Sequence, residues 1–94
     1  MSYEFPIGRL DTHQSVAYTG TAGTITNPIG PQTRKVRVIV TTAAYVKIGK
    51  SPTATTSDPY MPANWPETFI VNPGEQVSAI QVLSNGTLHV TEVV

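Results

Sequence analysis

Residues branched at the β carbon dominate this chain and limit the folds open to it. The sequence holds 14 Thr, 11 Val and 7 Ile against 3 Leu. Such side chains are stiff at χ1 and pack better on the pleated surface of a sheet than on a helix. Eight prolines and seven glycines are spread along the chain, and no longer stretch between them carries the apolar stripe of a helix. The composition therefore predicts an all-β protein.

The length of the chain fits a single domain. The 94 residues have a mass of 10.1 kDa, and a chain of this size removes only about two thirds of its unfolded surface from water on folding. We therefore expect one β domain over residues 1–94, with a small core. Turn residues recur about every 8 to 12 residues, which predicts a small β-sandwich or jelly-roll-like barrel of about seven to eight short antiparallel strands.

The clearest strand signal is the run Arg34–Val40, in which valine occupies every second position from residue 36. Alternate residues share one face of a strand, so these valines should be core. Ala43–Gly49 repeats the alternation, and we predict a hairpin between the two runs around Thr41–Thr42. Asn85–Gly86 is a second hairpin signal, because this pair favours the tight turns that join antiparallel strands.

Two segments fall outside the strand pattern. Residues 1–11 alternate apolar side chains but contain a proline, so we expect an extended N-terminal arm that lies either on its own domain or on a neighbouring subunit. Residues 50–66 contain four prolines among small polar residues and predict a long Pro-rich loop. Long connections of this kind are usually functional or packed on themselves, so we expect the loop to carry binding specificity.

Charge and composition argue against several classes of function. Six basic residues balance six acidic ones, so the chain lacks the basic excess typical of nucleic-acid binding. It has no apolar run long enough for a membrane span, and its first residues do not have the pattern of a secretion signal. We therefore expect neither nucleic acid nor a membrane as a partner. The absence of cysteine excludes disulfides and thiolate catalysis.

The ionisable residues form no recognisable catalytic pattern. His13 and His89 are the two histidines and have no third ligand near them in the sequence, whereas zinc sites use three or four ligands. A carboxylate pair such as Asp58 with Glu67 would form only through folding. No serine lies in a Gly-x-Ser-x-Gly turn. We expect no enzyme activity, no cofactor and no metal.

Apolar side chains in the arm and the loop are the predicted partner contacts. Tyr and Trp are enriched among the residues that dominate protein interfaces. For Trp65 the alternative is a structural role, in which its ring caps an open end of the fold. The predicted contact residues are Tyr3, Phe5, Ile7 and Leu10 in the arm and Tyr60, Met61 and Trp65 in the loop.

The second half of the chain contains an ordered series of short elements. A strand ends in Ile-Gly, a Pro-Thr-Ala loop with an aspartate follows, and Met-Pro, Phe-Ile-Val, Pro-Gly, Val-Ser-Ala-Ile and Gly-Thr-Leu-His-Val-Thr-Glu come after it. These elements are Val46–Gly49, Pro52–Asp58, Met61–Pro62, Phe69–Val71, Pro73–Gly74, Val77–Ile80 and Gly86–Glu92. Their order resembles that of small capsid decoration (cement) and accessory virion proteins of tailed bacteriophages.

The resemblance implies a structural role on the virion. Proteins of this kind bind the assembled capsid and reinforce it against the pressure of the packaged genome. The implied partner is the major capsid protein, and the implied location is the capsid surface, after synthesis in the host cytoplasm. A homo-oligomer, dimer or trimer, is expected because a small core gains from burying strand edges or the arm against neighbours. The alternative is a phage tail or neck module, with Tyr60 and Trp65 binding carbohydrate in host recognition.

Overall fold

The computed structural model describes residues 9–94 of the chain. Of the predicted contact residues, Tyr3, Phe5 and Ile7 lie outside the described residues. Residues 9–94 form eight β-strands and contain no helix. The strands are β1 (Leu10–Tyr18), β2 (Gly23–Thr24), β3 (Lys35–Val40), β4 (Ala44–Gly49), β5 (Tyr60–Met61), β6 (Glu67–Ile70), β7 (Gln76–Gln81) and β8 (Gly86–Val93).

The strands build two antiparallel sheets of four strands each. The first sheet has the order β1-β8-β3-β6, and the second sheet has the order β2-β7-β4-β5. Residues from both sheets form a shared hydrophobic core. The prediction of an all-β, sandwich-like fold is therefore confirmed for residues 9–94.

The core is centred on the valine ladder of β3, which consists of Val36, Val38 and Val40. All three side chains are fully buried, as their alternation predicts. Val46 of β4 is also buried, and Ile48 is half-buried against the cluster. The remaining core residues come from both sheets and their connections: Tyr18, Ile25, Ile29, Ala44, Met61, Val71, Val77, Ala79, Leu88 and Val90.

The two predicted hairpins are wrong. Strands β3 and β4 lie in different sheets, as do β7 and β8, so the turns at Thr41–Thr42 and Asn85–Gly86 cross between sheets. A hairpin would place the apolar faces of β3 and β4 side by side, and both would then need a second layer to cover them. When β4 folds over β3, the apolar face of each strand is buried against the other. Packing of the core therefore determines which strands pair, whereas the turn residues only reverse the direction of the chain.

The last part of the predicted arm belongs to the first sheet. Leu10 lies in β1 and opposes Val93 of β8. The pairing continues beyond the strand, since the N–H of Arg9 donates to the carbonyl of Val94 and the N–H of Val94 donates to that of Arg9 (2.6 and 2.8 Å). Arg9 is therefore fixed at one end of β1.

The first half of the Pro-rich loop is anchored on the second sheet. Ser78 of β7 lies between two core-facing residues, so its side chain points to the outer face of the sheet. It is nevertheless fully buried. Its hydroxyl accepts a hydrogen bond from the N–H of Ala54 (3.0 Å). The hydroxyl of Thr24 lies 3.0 Å from that of Ser78 and 3.1 Å from the carbonyl oxygen of Pro52. These bonds hold the loop over the outer face of β7, so this half packs on its own sheet.

Two buried polar side chains tie the connections to the strands. Tyr18 ends β1, and its hydroxyl donates to the carbonyl of Thr42 (2.5 Å) and accepts from the N–H of Thr42 (3.2 Å). A Cβ at Gly86 would lie 2.5 Å from this hydroxyl, so the site admits only glycine there. At the other end of the sheet, Glu92 accepts hydrogen bonds from the Gly30 N–H (3.1 Å) and the Thr33 hydroxyl (2.5 Å). Both crossovers are thereby fixed.

Replacing Val38 by aspartate should unfold the domain. An unpaired carboxylate in the core costs several kcal/mol, against a total stability of about 5 to 15 kcal/mol. The control is Ile39→Asp, because Ile39 is half-buried on the opposite face of the same strand. Circular dichroism melts should show no cooperative transition for Val38→Asp and a retained one for Ile39→Asp. A cooperative Val38→Asp melt would contradict the assignment of the core face.

Candidate binding surfaces

One end of the molecule collects the connections that carry exposed apolar side chains. Strands β3 and β4 meet there through residues 41–43, and the N–H of Val82 donates to the carbonyl of Ala43 (3.2 Å). The connection from β5 to β6 crosses the same end, because the N–H of Asn64 donates to the carbonyl of Val40 (2.7 Å). Asn64 has a φ of 59°, a left-handed conformation that asparagine adopts more readily than most residues.

Three large side chains project from this end, which we call the aromatic end: Tyr60, Trp65 and Leu83. Their exposed fractions are 59%, 61% and 87%. Tyr60 and Leu83 line the same shallow hollow of about 230 Å³, and the Tyr60 ring contacts the Tyr45 ring edge-on, with centroids 6.1 Å apart. Trp65 follows the Asn64 turn on the connection above. For the alternative role of Trp65, a ring that caps an open end of the fold, this exposure leaves only the remaining part of the ring surface for contact with the domain.

Met61 differs from the other loop residues predicted as contacts. It is 3% exposed and belongs to the core. Strand β5 explains the difference, because Met61 opposes Ala44 on the inner face of β4 while its neighbour Tyr60 points the other way. Met61 is thus part of the core beneath the aromatic end and is not one of its exposed side chains. Sequence reasoning missed Leu83, whose only signal is a leucine placed directly before a turn.

A groove opens on one side of the molecule, between edge strand β5 of the second sheet and edge strand β6 of the first. Its volume is about 370 Å³. We call it the edge groove. The side chains of Ile48 and Phe69 are apolar and half-buried in its wall. The other lining residues are Val46, Lys47, Asp58, Pro59, Tyr60, Met61 and Glu67. The groove is thus an apolar cleft with charged residues among its lining.

Among residues 9–94, strand β6 has a free backbone edge along this groove. It pairs with β3 on one side and is the last strand of its sheet. The N–H of Val71 donates to the carbonyl of Arg34 in the connection before β3 (2.8 Å). Backbone directions alternate along an antiparallel strand, so Phe69 also points its backbone groups to β3, whereas Thr68 and Ile70 point theirs to the free edge.

The end opposite the aromatic end is also apolar, and we call it the arm end: Leu10, Ile70 and Val94. These three side chains are exposed, Ile70 to 85%. Leu10 and Ile70 lie in one row across the first sheet, because Leu10 opposes Val93, Val93 opposes Lys35, and Lys35 opposes Ile70. The predicted contact residue Leu10 therefore lies at this end, away from Tyr60 and Trp65.

The two histidines come together on the outer face of the first sheet. The rings of His13 and His89 are stacked with centroids 5.4 Å apart, and the Nδ1 of His89 lies 3.4 Å from the Nε2 of His13. The Nδ1 of His13 is 2.8 Å from the Thr91 hydroxyl. Within residues 9–94, no group of three or more His, Cys, Asp or Glu side chains is arranged to hold a metal ion. The same part of the chain includes no helix that could span a membrane.

Comparison with known proteins adds no further assignment. The chain matches no protein family, no curated protein and no solved structure. The resemblance of its second half to phage decoration proteins therefore stays a prediction from the order of its short elements.

Truncating Met61 and Trp65 should have opposite consequences for stability. Met61→Ala leaves a cavity in the core and should cost about 2 to 5 kcal/mol, which lowers Tm by about 10 °C or more. Trp65→Ala removes an exposed ring and should change Tm by less than about 3 °C. Thermal melts followed by circular dichroism measure both. A larger loss for Trp65→Ala than for Met61→Ala would return Trp65 to the role of a core cap.

Proposed function

We propose that this protein is a structural virion protein that binds the assembled capsid of a tailed phage through its aromatic end and stabilises the shell. The observation that carries the proposal is the exposure of Tyr60, Trp65 and Leu83 at one end of a small β domain. Large apolar side chains gathered on one surface are typical of sites that bind another protein. The resemblance of the second half of the chain to decoration proteins supplies the identity of that partner, the major capsid protein.

The support beneath these side chains favours binding by a preformed surface. Tyr60 lies in β5 with Met61 buried next to it, and the bond from Asn64 to Val40 holds the connection that carries Trp65. Side chains on ordered backbone lose less conformational freedom on binding, so more of the contact energy appears as affinity. Hot-spot residues of this type each contribute about 2 kcal/mol or more.

The chemistry of the aromatic end also predicts how binding responds to salt. None of its three side chains carries a charge, and the chain as a whole has six basic and six acidic residues. Salt screens interactions between exposed charges and has little effect on the burial of apolar surface. Attachment through this end should therefore persist at salt concentrations that release a protein held by ion pairs.

The proposal also covers the type of β fold and the location of the protein. It takes the domain to be a small β-sandwich or jelly-roll-like barrel with an N-terminal arm, positioned on the capsid surface and acting as neither an enzyme nor a cofactor-binding protein. The second candidate is a tail or neck module that binds carbohydrate in host recognition. The exposed rings of Tyr60 and Trp65 favour this candidate, because flat aromatic surfaces stack on sugars as well as on protein.

Co-sedimentation with phage shells tests the proposal. Empty shells of the phage that encodes this chain, mixed with the protein at low micromolar concentration, should bind it in a saturable manner. Trp65→Ala should weaken binding roughly thirtyfold, which corresponds to about 2 kcal/mol. Gln32→Ala is the matched control, because Gln32 is exposed in the connection before β3, away from the aromatic end. Binding should change less than about twofold between 0.1 and 0.5 M NaCl.

Two outcomes would contradict the proposal. Absence of the protein from the shell pellet would exclude capsid binding, and equal effects of Trp65→Ala and Gln32→Ala would exclude the aromatic end as the contact. A glycan array separates the second candidate. Signals that Trp65→Ala abolishes would favour host recognition, and negligible signals for both proteins would remove that candidate.

A further inference from the structure

We propose that residues 2–8 of a second copy of this chain dock in the edge groove, as a strand added parallel to β6. The inference concerns how copies associate and is independent of the shell as a partner. Four observations carry it: the free edge of β6, the apolar groove beside it, the alternation of the N-terminal residues, and the position of Arg9.

The free edge of β6 supplies unsatisfied backbone groups for an added strand. Thr68 and Ile70 point their N–H and carbonyl groups away from β3, and no strand of residues 9–94 lies beyond them. An exposed edge of this kind pairs readily with an extended segment of another chain. The side chains of the added segment then point alternately into the groove and into the solvent.

The residues before Arg9 match this alternation. Tyr3, Phe5 and Ile7 are apolar and occupy every second position. In an extended segment they share one face, and that face would lie over the half-buried side chains of Ile48 and Phe69 in the groove. The residues between them face the solvent. Burial of apolar surface on both partners supplies the driving force.

The position of Arg9 requires that this segment come from another copy. Arg9 is paired with Val94 at the β1 edge, while the groove lies at the β6 edge of the same sheet. A strand beyond β6 is four strand spacings from β1, which amounts to about 19 Å. Gly8 is the single residue between Ile7 and Arg9, and these two steps of the chain span about 7 Å at most. The chain's own segment therefore falls short of its own groove.

Pro6 sets the direction of the added strand. In β6 the residues that point their backbone to the free edge, Thr68 and Ile70, turn their side chains away from the groove. In an antiparallel partner, the residues whose side chains face the solvent also point their backbone groups toward β6. Pro6 lies on the solvent face, so it would stand where β6 requires an N–H donor. In a parallel partner, the residues whose side chains face the groove point their backbone groups toward β6. The backbone of Pro6 then points to the new free edge, where its missing N–H is tolerated.

A parallel strand also predicts where the second copy lies. Strand β6 runs toward the arm end, since Ile70 is its last residue. A parallel segment leaves the groove in the same direction, so the Arg9 of the second copy lies beyond the arm end of the first. The exposed side chains of Leu10, Ile70 and Val94 are at this end. A two-fold arrangement that brings two arm ends together exchanges both segments and buries these side chains as well.

Light scattering after size-exclusion chromatography tests the inference without any shell. The full chain should elute with twice its 10.1 kDa mass, and the variant lacking residues 2–8 should elute as a monomer with an unchanged circular dichroism melt. Phe5→Ser should raise the dimer dissociation constant at least about thirtyfold, since it removes a large apolar contact. Glu4→Ser is the matched control on the other face of the segment and should leave the constant within about threefold. A monomeric full chain, or a dimer unaffected by the deletion, would overturn the inference.

Disulfide trapping tests the direction and the origin of the segment. The chain has no cysteine, so an introduced pair reports one contact. A tagged Gly8→Cys chain mixed with an untagged Ile70→Cys chain should form a cross-linked heterodimer, because the parallel arrangement brings residue 8 near the end of β6. Replacing Ile70→Cys by Thr87→Cys, which lies at the other end of the first sheet, should abolish the product. Equal yields for both pairs would contradict the parallel arrangement.

Discussion

The burial of the β3 valine ladder against the second sheet is the interaction on which the rest of this structure depends. The apolar face of β3 packs against β4 in the other sheet, and the two strands do not pair side by side. The later strands then extend one sheet or the other. The resulting order leaves β5 and β6 as edges on the same side. The edge groove is the space between these two edges, so it follows from the same packing that forms the core.

The polar contacts explain why the surfaces are well defined in so small a domain. Tyr18 holds the crossover from β3 to β4, and Glu92 holds the connection that leads into β3. Buried hydrogen bonds of this kind are costly to break, because the separated groups are left without partners. The Tyr18 bonds lie at the aromatic end of the molecule and the Glu92 bonds lie at the arm end. This separation fits the two proposed roles, in which the aromatic end binds the shell and the arm end joins two copies.

Local patterns in the sequence predicted the strands and the core better than the pairing between strands. The alternation of β3 gave the buried face correctly, because side-chain direction has a period of two in any strand. The prediction of hairpins at Thr41–Thr42 and Asn85–Gly86 was wrong. Turn residues reverse the direction of the chain but do not determine which sheet the next strand joins. Met61 and Tyr60 were grouped together as loop contacts, and only the two-residue strand β5 separates them. The edge groove involves strands distant in sequence, so no local pattern could predict it.

Cryo-electron microscopy of shells mixed with the protein tests the central claim most directly, namely that this chain is a structural protein that binds the capsid by its aromatic end. We expect added density at regular symmetry positions on the shell surface, with Trp65 and Leu83 against the capsid and the arm end directed away from it. Density restricted to the tail, a bare shell, or a domain that contacts the capsid through its arm end would contradict this claim.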